Sequence, residues 1–152
     1  MTRTTAVLLA AALMGLSAPA VAHHGDAGRY DETPFTITGT VVERKLTNPH
    51  SIVVFEGPDV KDKAKMVRWQ AEMNGGQALQ KQFGWNKDMP KIGEKITLIG
   101  RRVKNGAPYM NMTESAQITL SESGKEIYKT ANFGQPPGTP ANPPPAPAAP
   151  QK

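Results

Sequence analysis

The chain has 152 residues, enough for one domain, and its 18 lysines and arginines outnumber 13 aspartates and glutamates, giving a net charge of +5. It contains no cysteine, which excludes disulfide bonds and a lipid-attached cysteine. The core alone must therefore hold the fold, and the basic balance suits anionic surfaces.

Residues 1–22 have the layout of a secretory signal peptide. Arg3 lies in a short polar start, an apolar stretch follows over residues 6–16, and Ala20-Val21-Ala22 supplies the small residues of a cleavage site. The apolar stretch is about half as long as a membrane-spanning helix needs to be. We therefore expect a periplasmic or secreted protein without a transmembrane segment, whose cleavage after Ala22 makes His23 the new N-terminus.

Three strands are predicted in the first half of the exported chain. Residues 35–46 are rich in β-branched side chains that alternate in polarity, and Gly39 marks a place where this strand can bend sharply. A turn over residues 47–50 leads to a second strand at residues 51–55. The apolar residues of 66–73 recur at every second position, which predicts a third strand.

A short helix is predicted after the third strand. Asn74 is the expected N-cap, with Gln77 three residues later. Leu79 and Phe83 lie four residues apart on one face, and Gly84 stands where a C-terminal glycine belongs.

Two more strands complete the predicted domain. A fourth strand covers residues 95–103 and has Gly100 at its centre. Asn105-Gly106 predicts a tight turn, after which a fifth strand runs over residues 109–120. Residues 127–128 add a closing contact.

This order of elements is typical of an all-β fold with one short helix, a small five-stranded OB-like barrel over residues 35–130. An antiparallel half-barrel with a helix across one end is the alternative. Closure is favoured because it removes exposed strand edges. Residues 23–34 form an N-terminal arm, and residues 131–152, which include a dense run of prolines, form a disordered Pro/Ala-rich tail.

Several separated motifs resemble a bacterial family of exported small proteins of unknown function. They are the signal peptide ending before His23-His24 and five further stretches within the predicted domain: residues 37–41, residues 47–50, Trp69, residues 83–85 and residues 93–100. The resemblance covers most of residues 22–120. It implies an OB-like periplasmic domain and brings no activity with it.

The three histidines are candidate metal ligands. Cleavage would place a free amine beside the rings of His23 and His24, and His50 follows a turn at the rim of the predicted barrel. The amine has a pKa of about 7.7 and imidazole one of about 6.5, so both bind metal near neutral pH at little proton cost. Divalent copper favours such nitrogen donors in a square-planar set, and copper is therefore the candidate cofactor.

Met110 and Met112 form a second candidate ligand set, because side chains two residues apart in a strand point to the same face. Thioethers select monovalent copper. In this respect the chain is loosely similar to periplasmic copper and silver chaperones, although their Met-x-Met pair lies on earlier strands and beside a tryptophan. The alternative is that the two methionines, like Trp69 and Trp85, simply pack in the core.

Other classes of function compete with copper binding. An OB-type module could instead bind an anionic envelope component, an oligosaccharide or a protein partner with no metal, and Lys61, Lys63 and Lys65 suit an anionic one. Nucleic acid is not expected, because the exposed aromatic residues among basic ones that single strands require are absent. No acid, base or nucleophile set is visible, so no enzyme is predicted. The sequence leaves the oligomeric state open.

Overall fold

The computed structural model describes residues 28–136 and residue 139. The predicted signal peptide, His23, His24 and most of the predicted tail lie outside these residues. Within them no helix is long and apolar enough to cross a membrane.

The described residues form seven strands and one helix. In chain order they are β1 (Phe35–Lys45), β2 (His50–Pro58), β3 (Met66–Asn74), α1 (Gly76–Phe83), β4 (Lys95–Arg102), β5 (Tyr109–Asn111), β6 (Gln117–Leu120) and β7 (Glu126–Lys129).

Five of the strands close into a barrel in the order β1-β2-β3-β5-β4, and β4 pairs back with β1. The pairing of β3 with β5 is parallel, with Ala71 opposite Met110, whereas the other pairings are antiparallel. This arrangement confirms the predicted all-β, OB-like closed barrel with one short helix and excludes the half-barrel.

The bend in β1 makes closure possible. Residues 35–40 of this strand pair with β4, and residues 40–45 pair with β2. Gly39 lies at the change of partner, where an added Cβ would be 2.5 Å from both the Glu56 carbonyl oxygen and Cδ2 of Phe55. The close approach of the neighbouring strand therefore requires glycine, as the sequence predicts for a bend.

The predicted fifth strand over residues 109–120 is wrong in one respect, because it is divided into β5 and β6. The side chain of Asn111 accepts hydrogen bonds from the backbone nitrogen and the hydroxyl of Thr113, both at 2.7 Å. Ser115 then takes a positive φ of 48°, and its backbone nitrogen donates to Asn132 Oδ1. The bonds from Thr113 to Asn111 compete with the strand ladder locally, and the bond from Ser115 to Asn132, 17 residues away, draws the chain out of it. Beyond the interruption β6 pairs with β4 and β7 pairs with β6.

The helix ends where the sequence predicts but begins one residue later. Gly84 adopts the left-handed conformation with φ of 69°, and its backbone nitrogen donates to the Gln80 carbonyl. The N-cap is Gly75, because Asn74 still belongs to β3 and is paired with His50. Asn48 instead places its Oδ1 3.3 Å from the Gln77 backbone nitrogen and so serves the start of the helix.

The interior of the barrel is filled by large apolar side chains. Trp69 and Trp85 are buried, as the sequence predicts for core residues, and their ring nitrogens donate to the carbonyls of Pro58 and Ile127. Phe55 stacks on Trp69 with ring centroids 6.2 Å apart. Since every buried side-chain polar atom of the described residues has a hydrogen-bond partner, the core carries no unpaired polar group.

Gly100 generates the first testable prediction. A Cβ added there would collide with Sδ of Met112 and lie 3.0 Å from the Asn111 carbonyl oxygen. We expect Gly100→Ala to lower the free energy of unfolding by about 1–3 kcal/mol, because overpacking forces side chains and backbone to shift. Urea unfolding measures the change. Lys95→Ala at an exposed position of the same strand is the control, and equal effects of the two substitutions would contradict the packing argument.

Candidate functional site

The outer face of the barrel brings a histidine and a carboxylate together. His50 begins β2, its side chain is 54% exposed, and its Nδ1 lies 3.2 Å from Oε1 of Glu72 on β3. The two residues come together because β2 and β3 pair in register along their whole length.

Tyr109 holds the other oxygen of this carboxylate. Its hydroxyl donates a hydrogen bond to Oε2 of Glu72 across the parallel pairing of β3 with β5. Burial raises the pKa of Tyr109, and the hydrogen bond to Glu72 raises that pKa further. The phenol therefore stays protonated and acts as a donor. We refer to His50, Glu72 and Tyr109 as the His50 network.

The network prepares His50 as a ligand. When Nδ1 donates its proton to Glu72, Nε2 carries the lone pair of a side chain that is about half exposed. Histidines that bind metals almost always make such a bond through the second nitrogen, because it sets the tautomer and the ring orientation.

The N-terminal arm is anchored beside this network. Tyr30 is buried, with 4% of its area exposed, and forms a β-bridge with Val103. Asp31 accepts two hydrogen bonds from the Arg102 guanidinium, at 2.8 and 3.0 Å, and its backbone nitrogen donates to the Arg102 carbonyl. These contacts fix the arm against the end of β4.

The start of the described chain therefore lies on the same side as Tyr109. The backbone nitrogen of Val103 donates to the Tyr109 carbonyl, and that of Lys104 donates to the Arg29 carbonyl. The positive charge of Arg29 is also close enough to lower the pKa of Tyr109, against the larger effect of burial, which raises it. The next residue towards the N-terminus, Gly28, is the first that the structure describes.

Met110 and Met112 lie on the other side of the barrel wall. Both are fully buried in the core, and both contact the position of a Cβ at Gly100. His50 faces outward, so the structure does not bring the methionine pair and the histidine together. Monovalent copper binding by this pair stays a prediction, and its site would lie inside the barrel.

Between residues 28 and 136, with residue 139, no three His, Cys, Asp or Glu side chains lie close enough to hold a metal ion. His50 is the only one of the five predicted ligands on the outer face within this part of the chain. The predicted ligands His23 and His24 lie outside the described residues.

The predicted basic loop lies between β2 and β3. Lys61, Lys63 and Lys65 are exposed there, and the Asp59 side chain accepts hydrogen bonds from the backbone nitrogens of Lys61 and Asp62. These two bonds lower the pKa of Asp59. The expected affinity for anionic envelope surfaces stays a prediction.

Sequence reasoning did not single out Glu72 or Tyr109. The alternation of β3 places Glu72 outward between the buried residues Ala71 and Met73, which is a signal visible in the sequence. Nothing local indicates that Tyr109, 37 residues later, would reach the same carboxylate.

Comparison with known proteins places the chain in a family. Residues 11–110 match the model of a family described as of unknown function (DUF6152). The chain belongs to this family. The DUF6152 match includes all three histidines and Tyr109 and ends at Met110, before β6 and β7. It confirms the resemblance to an uncharacterised family.

No curated protein and no solved structure matches the chain. The comparisons therefore give no support to the analogy with copper and silver chaperones.

The tyrosines generate a prediction on pH dependence. Burial raises the pKa of both Tyr109 and Tyr128 above the ordinary value of 10.0. The folded state then binds more protons than the unfolded state above about pH 10, so stability is complete below that pH and falls as the pH rises. Urea midpoints between pH 8 and pH 11 should show this loss, and Tyr109→Phe should reduce it by up to about half. An unchanged slope in Tyr109→Phe would show that this phenol titrates normally.

Proposed function

We propose that the exported and processed protein binds divalent copper through its N-terminal amine, the His23 ring and His50. The observation that carries this proposal is the His50 network, in which Glu72 holds Nδ1 at 3.2 Å and leaves Nε2 for a ligand. Cleavage after Ala22 and location in the periplasm or outside the cell are parts of the same proposal.

The chemistry of the donors favours copper over other metals. An amine and two imidazoles give three nitrogen donors, which divalent copper accepts in a square-planar set. His24 is available as a fourth donor. The amine and the imidazoles need to lose at most one proton each near neutral pH, so binding carries a small proton cost.

Glu72 and Tyr109 act on the metal through His50. The carboxylate fixes the orientation of the ring that it contacts, and the phenol keeps the carboxylate in place. The loss of such a partner typically weakens metal binding by about 10–100-fold. In the proposed site these two residues orient His50 and do not themselves bind copper.

The anchored arm makes the combination of distant ligands reasonable. His23 precedes Gly28 by five residues, which can span up to roughly 17 Å. The arm is fixed at Tyr30 and Asp31, on the side of Tyr109, so a short tether of this length raises the effective concentration of the proposed terminal ligands around the network. An unanchored arm would spend much of its time elsewhere.

Copper titration of protein that begins at His23 tests the proposal. We expect acetylation of the amine of His23 to weaken binding of divalent copper by about 100-fold or more, because the acetylated nitrogen is no longer a donor. His50→Ala should weaken binding by about 10–100-fold, by removal of one nitrogen donor. Competition with a chelator of known affinity measures both effects, and the electron paramagnetic resonance spectrum reports the number of nitrogen ligands.

Gln70→Ala is the matched control, because Gln70 is an exposed residue of β3, the strand that carries Glu72. It should leave copper affinity unchanged. Equal binding by the native and the acetylated terminus would contradict the terminal site. Monovalent copper binding that is lost in Met110→Leu with Met112→Leu, and not on acetylation of the terminus, would move the site to the methionine pair.

The anchor of the arm can be tested separately. Tyr30→Ala should lower copper affinity towards that of His50→Ala, because the arm that carries the terminal ligands loses its anchor at Val103. Tyr30→Ala combined with His50→Ala should bind copper about as tightly as His50→Ala alone. Once His50 is lost, anchoring the arm near it no longer matters. Asp31→Asn, which weakens the ion pair with Arg102 without emptying a buried site, gives a milder variant that should remain folded.

Phe133→Ala is the control for the anchor, because it removes an aromatic ring near the other end of the described chain. Chelator competition gives the affinities, and circular dichroism confirms the fold of each variant. If His50→Ala weakens binding and both arm variants bind like the native protein, the anchor is unnecessary while the proposed ligand set stands.

A further inference from the structure

Two recesses flank the ring of Phe83 at the end of α1. The larger has a volume of about 420 Å³ and is bordered by the ends of β3, α1 and β7 and by the segment that separates β5 from β6. The smaller has a volume of about 230 Å³. Phe83 and Tyr128 line both recesses, with ring centroids 5.0 Å apart, so the two spaces adjoin across an aromatic floor.

The floor is fixed before any ligand arrives. The Tyr128 hydroxyl donates a hydrogen bond of 2.6 Å to the Met112 carbonyl inside the barrel, and the ring of Trp85 meets Tyr128 edge-on at 6.4 Å. Phe83 is half-buried and keeps part of its ring at the surface. Since Tyr128 is only 1% exposed, a ligand would find the open part of the Phe83 ring held in a preformed position, which lowers the entropy cost of binding.

The wall of the larger recess carries uncommitted amides. Asn74 and Gln82 both line it, and neither side chain makes a hydrogen bond with another of the described residues. Each amide offers two donor hydrogens and one acceptor oxygen. A ligand with hydroxyl groups, which donate and accept, matches such a wall on both counts.

The charges around the larger recess are compensated. Glu114 accepts a hydrogen bond of 2.9 Å from Arg101, and the ammonium of Lys129 lies 3.5 Å from the carboxylate of Glu126. A charged ligand would have to compete with these partners. The recess is therefore best suited to a neutral molecule.

We propose that the two recesses bind a neutral saccharide of at least two rings. One apolar face of the sugar packs on Phe83, while hydroxyl groups bond to the amides of Asn74 and Gln82. The volume lies in the range of small-molecule sites, which combine an apolar floor with a few placed polar groups. This site shares no residue with the proposed copper ligands, so either can fail without the other.

A Pro-rich peptide is the competing ligand. Residues 140–150 belong to such a segment, and the Asn132 amide donates to the Thr139 carbonyl near the recess wall at Glu114. Proline offers acceptors but no backbone N–H, so a Pro-rich segment would leave the amide acceptors of the wall unpaired. A saccharide uses both kinds of group and is the better match.

Nuclear magnetic resonance titration of the full exported chain tests the proposal, with cellobiose and N,N′-diacetylchitobiose as neutral probes. We expect at least one of them to shift the backbone signals of residues around Phe83, with a Kd on the order of 1 mM. Asn74→Ala combined with Gln82→Ala should weaken that binding by about tenfold or more, because two hydrogen bonds are lost. Gln82 is exposed and Asn74 is half-buried with no side-chain hydrogen bond to another described residue, so the variant should keep its fold.

Gln77→Ala is the matched control, since it removes the same side chain from the same helix at a position that does not line either recess. It should bind the probe like the native protein. The proposal is overturned if neither probe shifts these signals at about 20 mM, or if the double variant binds as tightly as the control. It is equally overturned if a synthetic peptide of residues 140–150 shifts the signals and neither sugar does.

Discussion

The pairing of β1 with both β2 and β4 is the constraint on which the rest of the structure depends. One bent strand joins two halves of the sheet, and Gly39 permits the bend because the backbone of β2 passes too close for any side chain. Closure leaves β5 to fill the gap between β3 and β4, in parallel with β3. The core inside and the His50 network outside both follow from that order of strands.

The barrel wall separates two kinds of metal chemistry that the sequence suggests together. Met110 and Met112 place soft sulfur atoms in the dry interior, whereas His50 and Glu72 place nitrogen and oxygen on the outer face. Soft donors select monovalent copper and nitrogen donors favour the divalent ion, so the two sites would differ in oxidation state as well as position. The anchored arm favours the outer site, because it holds the chain next to Tyr109.

Local signals in the sequence predicted local structure well. The alternation of β1 and β3 and the glycine at the end of α1 act within a few residues, and each was found where expected. Both errors depend on tertiary contacts. Asn74 is drawn into β3 by its partner His50, and the predicted fifth strand is interrupted where Ser115 bonds to Asn132, 17 residues away. Neither partner is visible from the neighbouring sequence.

The sequence by itself determined the fold class and the place of most elements, because periodicity and turn residues reflect local geometry. It also determined membership of a family of unknown function. Only the tertiary structure decided which side chains meet. A period of two divides β3 into two faces, but Glu72 meets His50 and Tyr109 only after three strands pair in a particular register. The same holds for the recesses beside Phe83, which exist because the end of α1 packs against β7.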